Sequence, residues 1–168
     1  MQPKDQREPA QVVAGSPAPG LAFAFRVTLT VGPPVDHGEF EGRRRRAMPI
    51  TGGKVEGPGF QGSVLALGAD WQSIRIADGT AFIDARHSFR HDDGTVVAMT
   101  NVGVRRGPPE VLAKLAAGEA VDPAAYYFRA SPRFDAPPGP HGWLADNTFV
   151  CVGRRGPEGV ELDIYRVL

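Results

Sequence analysis

Apolar side chains occupy every second position from Leu21 through Phe23, Phe25, Val27 and Leu29 to Val31, with Ala22, Arg26, Thr28 and Thr30 small or polar between them. Successive side chains of a strand point to opposite faces, so this alternation predicts a half-buried strand, and Gly32-Pro33-Pro34 stops it. A second strand is expected over residues 44–50, with turns at Thr51-Gly52-Gly53 and Glu56-Gly57-Pro58-Gly59, and a short third over 62–67. The most regular stretch is a three-strand meander over 71–77, 80–90 and 95–104. Its turns are Asp78-Gly79 and His91-Asp92-Asp93-Gly94, and Asp-Gly suits a tight hairpin because the turn demands positive φ. One helix is predicted: Pro108-Pro109-Glu110 opens it, Val111, Leu112 and Leu115 form its apolar stripe, and Gly118 ends it. Strands over 126–130, 143–153 and 160–167 complete the chain. So many short strands with one helix predict a mainly β fold, a single antiparallel β-barrel over residues 21–168. Residues 1–20, rich in Pro, Gln and charge without periodicity, read as a disordered or loosely packed tail.

Composition sharpens this picture only in places. The 168 residues suit one domain, and 21 glycines with 16 prolines supply the turns that a meander needs. Lys plus Arg and Asp plus Glu balance at 19 each, which argues against a nucleic-acid or anionic-membrane partner. Cys151 is the lone cysteine, so no internal disulfide can form, and with no leader-like apolar segment the expected location is cytoplasmic. The run Arg43-Arg44-Arg45-Arg46 reads as an edge strand or a contact between copies, and a homo-oligomer is expected. His37, His87, His91 and His141 show no metal-ligand spacing, so no metal is expected; His87 reads as a packing residue and Cys151 as a small core hydrophobe.

Candidate chemistry comes from strand parity. A two-residue turn at Asp78-Gly79 sets Arg75 opposite Phe82, Ser73 opposite Asp84 and Trp71 opposite Arg86, while Asn101 is expected opposite Asp84 or Arg86. One face then presents Trp71, Ser73, Arg75, Phe82, Asp84, Arg86, Met99 and Asn101; the other, with Ile74, Ile83, Ala85 and His87, is an apolar packing surface. The polar face is either a solvated exterior with cross-strand ion pairs or the lining of a pocket. In a pocket, Arg86 could hold an oxyanion with its forked donors, Asp84 could act as a general base, Trp71 could wall a ring and Asn101 could orient a carbonyl.

A series of short motifs also falls in order along the chain: Pro49-Ile50-Thr51-Gly52-Gly53, Glu56-Gly57-Pro58, Gly68-Ala69-Asp70-Trp71-Gln72, Asp84-Ala85-Arg86, Asp92-Asp93-Gly94, Asn101-Val102-Gly103, Tyr127-Phe128-Arg129 and Trp143-Leu144. The series resembles uncharacterised protein family 0311, also called domain of unknown function 3237, over residues 21–168. The resemblance implies a compact β-barrel and a shared polar set at Arg45, Arg46, Asp70, Trp71, Asp84, Arg86, Asn101, Tyr127, Arg129 and Trp143. His87 stands where the family usually has Tyr, and Ala145 where it commonly has Asn. The overlap with the parity-derived face favours the pocket.

The leading expectation is a small-molecule enzyme using neither metal nor organic cofactor, with lyase- or isomerase-type acid–base chemistry on an oxygenated aromatic or carbonyl compound. Asp84, Arg86, Asp70 and Tyr127 are the expected catalytic residues, and Trp71, Asn101, Arg129, Trp143 and Arg45 the substrate-binding ones. A non-catalytic ligand-binding barrel and an assembly subunit are the alternatives.

Overall fold

The computed structural model describes residues 15–156 and 159–168. Ten strands run in chain order: β1 (Leu21–Val31), β2 (Val35–Phe40), β3 (Arg43–Glu56), β4 (Gly62–Val64), β5 (Ala69–Arg75), β6 (Ala81–His91), β7 (Val96–Arg106), β8 (Tyr127–Asp135), β9 (Phe149–Arg155) and β10 (Gly159–Val167). The helix α1 (Pro109–Ala116) lies between β7 and β8, and short 3-10 turns cover Pro123–Ala125 and Gly142–Leu144. The expected tail falls largely on residues 1–14, outside the described residues.

The strands close into an antiparallel barrel. The path β1-β10-β9-β8-β7-β6 continues through β4 and β5 to β3, and β3 pairs back to β1. β4 and β5 together fill one stave: β4 pairs the second half of β3 (Val55 opposite Gly62) and β5 the first (Ala47 opposite Trp71). The barrel thus has eight staves, with β2 lying outside the closed path on β3. Closure leaves few unpaired edges. It also changes the reading of the arginine run, which is no edge: Arg43–Arg46 pair with β2 on one side and β5 on the other.

Long β3 is where the expected turns fail. Gly52 and Gly53 do not turn the chain; they carry it onward with φ of 146° and 141°, as β3 passes from pairing β2 and β5 to pairing β1 and β4. A Cβ on Gly53 would stand 2.0 Å from the carbonyl oxygen of Thr28. Glycine is there because two backbones meet at a bend of the barrel wall. A second irregularity, a bulge between Phe23 and Phe25, breaks the β1 alternation. Phe25, Val27 and Leu29 face the core, whereas Leu21 and Phe23 stand 56% and 43% exposed. Trp143, expected on a strand, lies in the Gly142–Leu144 turn instead.

The barrel interior has two unlike halves. At the end formed by the start of β1 and the end of β6, aromatic rings fill the space: Phe25 packs edge-on to Phe134, Phe134 to Phe149, and Phe60 lies between Phe25 and Phe89. Each fully buried ring contributes roughly 1.5–3 kcal/mol of transfer free energy, so this plug is the main anchor of the fold. The other half is a cavity whose wall mixes apolar side chains with a cluster of polar ones.

Candidate functional site

Strand parity decides which side chains enter that second half. The β6–β7 connection is a three-residue loop: His91 donates its N–H to the Thr95 carbonyl, and Gly94 takes φ of 93°. A two-residue turn would have set Asn101 opposite Asp84 or Arg86; the odd loop sets it opposite Ala85, and Met99 opposite His87. Shifting a register by one residue moves a side chain to the other face. Asn101 therefore points into the barrel with Ala85 and His87, and is 1% exposed. The β5–β6 turn is two residues longer than expected, with Ser73 opposite Phe82, which preserves parity and leaves Trp71 outside.

The expected polar face is thus the barrel's exterior. Arg86 and Asp84 are 70% and 48% exposed and 3.8 Å apart, a loose surface pair, and Trp71 is half exposed and stacks on His37. Arg45 is exposed on the same side. Tyr127 and Arg129 line a broad, shallow external depression of about 680 Å³ with Val102 and Tyr165. Trp143 packs on Phe149 at the aromatic end. Of the nine expected site residues, the fold brings only Asp70 and Asn101 together inside the barrel. Replacing Arg86 with Ala is expected to change stability by less than about 0.5 kcal/mol, read from denaturant midpoints, because exposed pairs are solvated in both states.

Inside, Asp70, Gln72 and Ile74 share the inward face of β5, Arg46 and Met48 point in from β3, and Asn101 and Arg105 from β7. Arg46 Nε donates to Gln72 Oε1 at 2.8 Å, and Gln72 Nε2 donates to Asp70 Oδ2 at 2.6 Å. This chain fixes one oxygen of the carboxylate and leaves the other bare. Asp70 Oδ1, Arg105 Nε, Asn101 Oδ1 and both nitrogens of His87 are buried without a hydrogen-bond partner. Among the described residues these are all the buried side-chain polar atoms that lack one, and every one sits on a residue lining the same cavity. Leaving such a group unsatisfied costs about 1–3 kcal/mol each, so a polar group or water entering the cavity would find unused hydrogen-bonding capacity there.

Charge says what kind of guest. Three guanidiniums, Arg46, Arg105 and Arg155, line the cavity against the single carboxylate of Asp70. Burial disfavours the positive charge of Arg105 and of Arg46; repulsion from Arg46 adds to it at Arg105, and repulsion from Arg44 and Arg155 at Arg46. A guanidinium does not give up its proton in a protein, so an anion placed beside the arginines would offset this cost. Burial also raises the Asp70 carboxyl above the usual range, against the opposing hydrogen bond from Gln72 and the Arg105 charge. The room inside is about 50 Å³ for the centres of water-sized groups, enough for several waters or one small anionic head. α1 sits at this end, its Leu112 against the β5–β6 turn at Gly79.

His87 is buried with no partner, and burial lowers its pKa to about 4. Its folded pKa lies below the unfolded value of 6.5, so between these values the unfolded chain binds more protons, and stability is lost as pH falls through that window. The loss amounts to roughly 3 kcal/mol. Denaturant midpoints between pH 7 and pH 4 are expected to show it, and His87→Leu to flatten it. Burial likewise pushes the Cys151 thiol up to about 12, in keeping with its place in the core.

Sequence parity missed Arg105, Gln72 and Arg155 and set His87 aside as packing. Gly94, read as the third residue of a loop rather than as half of a two-residue turn, was the signal that would have turned Asn101 and Arg105 inward.

Comparison with known proteins agrees with this architecture. Residues 19–167 match the family described as "Protein of unknown function (DUF3237)". The chain is 41% identical over 146 residues to a UPF0311 protein of Rhodopseudomonas palustris, covering 87% of this chain and 95% of the relative. The crystal structure of a conserved protein of unknown function from that organism superposes with a TM-score of 0.84 at 39% identity, covering 91% of this chain and 99% of the other. A hydroalkoxylation enzyme of Penicillium herquei is 34% identical over 82 residues, 49% of this chain and 54% of the relative. No described helix is long and apolar enough to cross a membrane.

Proposed function

We propose that this chain, which belongs to the DUF3237 family of proteins of unknown function, is an enzyme that moves a proton on a small oxygenated molecule held anion-first inside the barrel. The observation that carries this reading is the convergence of all the unpartnered buried polar atoms of the described residues on one cationic cavity. Arg105 and Arg46 hold a carboxylate, phenolate or enolate oxygen, each an anion that fixed guanidinium donors stabilise as charge develops. Asp70, a lining residue whose Oδ1 has no hydrogen-bond partner and whose carboxyl is raised by burial, takes and returns the proton. Asn101 and His87 orient neutral oxygens. Lyase or isomerase chemistry of this kind moves a proton and makes or breaks one bond beside a carbonyl.

The Penicillium herquei relative supports the class. Hydroalkoxylation adds an O–H across a C=C bond: the C–O bond forms, the proton passes from oxygen to carbon, and no co-reactant is consumed. Its aligned part spans about half of each chain, so it supports the class of reaction and says nothing of the substrate.

An NMR time course of the purified chain with hydroxylated aromatic acids, phenols and enones tests the proposal. Product formation is the expected result. Line broadening without product would make the barrel a carrier, and silence across the panel would overturn both.

A further inference from the structure

At the opposite end of the barrel, the fold gathers groups that sequence spacing leaves apart. His91 ends β6, Asp93 lies in the turn that follows, and His141 precedes the Gly142–Leu144 turn, 48 positions beyond Asp93. His141 Nε2 lies 2.9 Å from Asp93 Oδ2, and His91 Nδ1 lies 3.0 Å from Asp93 Oδ1. The two imidazoles are 4.0 Å apart between centroids, and one ligating atom from each of the three residues lies within 4.8 Å of the others. Phe60 backs both rings edge-on, at 4.9 Å and 5.2 Å, and His141 is 7% exposed.

We propose that His91, Asp93 and His141 form a binding site for a divalent cation of the zinc class. Two imidazoles and one carboxylate are a donor set suited to zinc and its first-row neighbours rather than to calcium or magnesium, which prefer oxygen alone. Zinc bonds of about 2.0–2.2 Å hold tetrahedral ligand atoms roughly 3.3 Å apart. Asp93 reaches His141 through Oδ2 and His91 through Oδ1, and the three ligand atoms, within 4.8 Å of one another, draw in toward that spacing around an ion. Several features fix the donors before any ion arrives. Thr95 N–H donates to Asp93 Oδ1 at 2.8 Å and aims the carboxylate, while Phe60 and the adjoining backbone hold His141. Three protein ligands leave a coordination position toward the cleft lined by Gln61, Asp92 and Trp143, where a water or an oxygen of a ligand completes the shell.

This site is separate from the polar cavity. His91 is six residues along β6 from Ala85, roughly 20 Å at the rise of a strand, and the aromatic plug stands between them. Its ion ties the β6–β7 turn to the connection that leads into β9.

The test is calorimetric titration of the tag-free full chain with zinc chloride at pH 7.5, followed by the electronic spectrum with cobalt chloride. The expected result is one zinc per chain with micromolar or tighter affinity, and cobalt d–d bands of a four- or five-coordinate nitrogen–oxygen site. His91→Gln and Asp93→Asn, both at partly exposed positions, are expected to weaken zinc binding by about 100-fold or more, while His37→Ala leaves it unchanged. His141→Ala is the stronger variant, and circular dichroism checks that it folds. No saturable binding by the wild type, or binding that survives both His91→Gln and Asp93→Asn, would overturn the proposal.

Discussion

Replacing Arg105 with Met is expected to reduce turnover and anion binding by at least about 100-fold while leaving the barrel folded. Arg105 is partly buried, its buried Nε has no partner within the protein, and it shares the cavity with the one carboxylate and with the Arg46 guanidinium. Removing it takes away the donor best placed to meet an incoming oxyanion. It also removes one of three positive charges held against one negative, so the folded state loses repulsion and desolvation cost. Stability is therefore expected to hold or rise, as when other buried charges give way to packed apolar groups. Thermal melts with and without a panel ligand separate the effects: the unliganded melting temperature stays level or climbs, and the ligand-induced rise disappears. A folded Arg105→Met protein that still turned over substrate would remove the oxyanion role.

The largest stability effect is expected at Gly53. A Cβ there would meet the Thr28 carbonyl oxygen at 2.0 Å, and φ is 141°, a conformation that L residues rarely adopt. Both costs fall on backbone atoms of strands paired on both sides, so no side chain can move to relieve them. Gly53→Ala should destabilise the barrel by more than about 3 kcal/mol, as strain plus a backbone displacement implies. Gly38, with φ of 83° but nothing within 4 Å of its missing Cβ, is the control; Gly38→Ala is expected to cost about 1 kcal/mol. Urea midpoints of the two variants read the difference directly.

The barrel was legible in the chain because its cause is local. Alternation in β1, β6 and β7, Asp-Gly at a hairpin and Pro-Pro-Glu before α1 each state a strand, a turn or a helix start within a few residues. What escaped was set by single-residue irregularities. The bulge after Phe23, the straight passage through Gly52 and Gly53, and the odd loop at Gly94 each insert or remove one step of alternation. Alternation tells which residues share a face and is silent about which face is inside. So parity groups Asp84, Arg86 and Trp71 on one face and leaves exterior and pocket open, the barrel turns that face outward, and Asp70 enters through the resemblance rather than parity. Arg46 shows the same limit. In a run of four arginines only parity and curvature separate it from Arg45, and the barrel turns Arg46 into the cavity and Arg45 out to solvent. The pairing of His91 with His141 lay further still from local reading, since it depends on a loop folding back over the end of the barrel.

The claim that chemistry belongs inside the barrel is tested most directly by titrating an anion from the panel, such as a hydroxybenzoate, into ¹⁵N-labelled protein. The side-chain amide of Asn101 reports the interior and the indole N–H of Trp71 reports the former candidate face. A saturable shift of the Asn101 amide, with the Trp71 indole unmoved, is the predicted result. A shift of the Trp71 indole with Asn101 unmoved would contradict it and return the site to the outer surface.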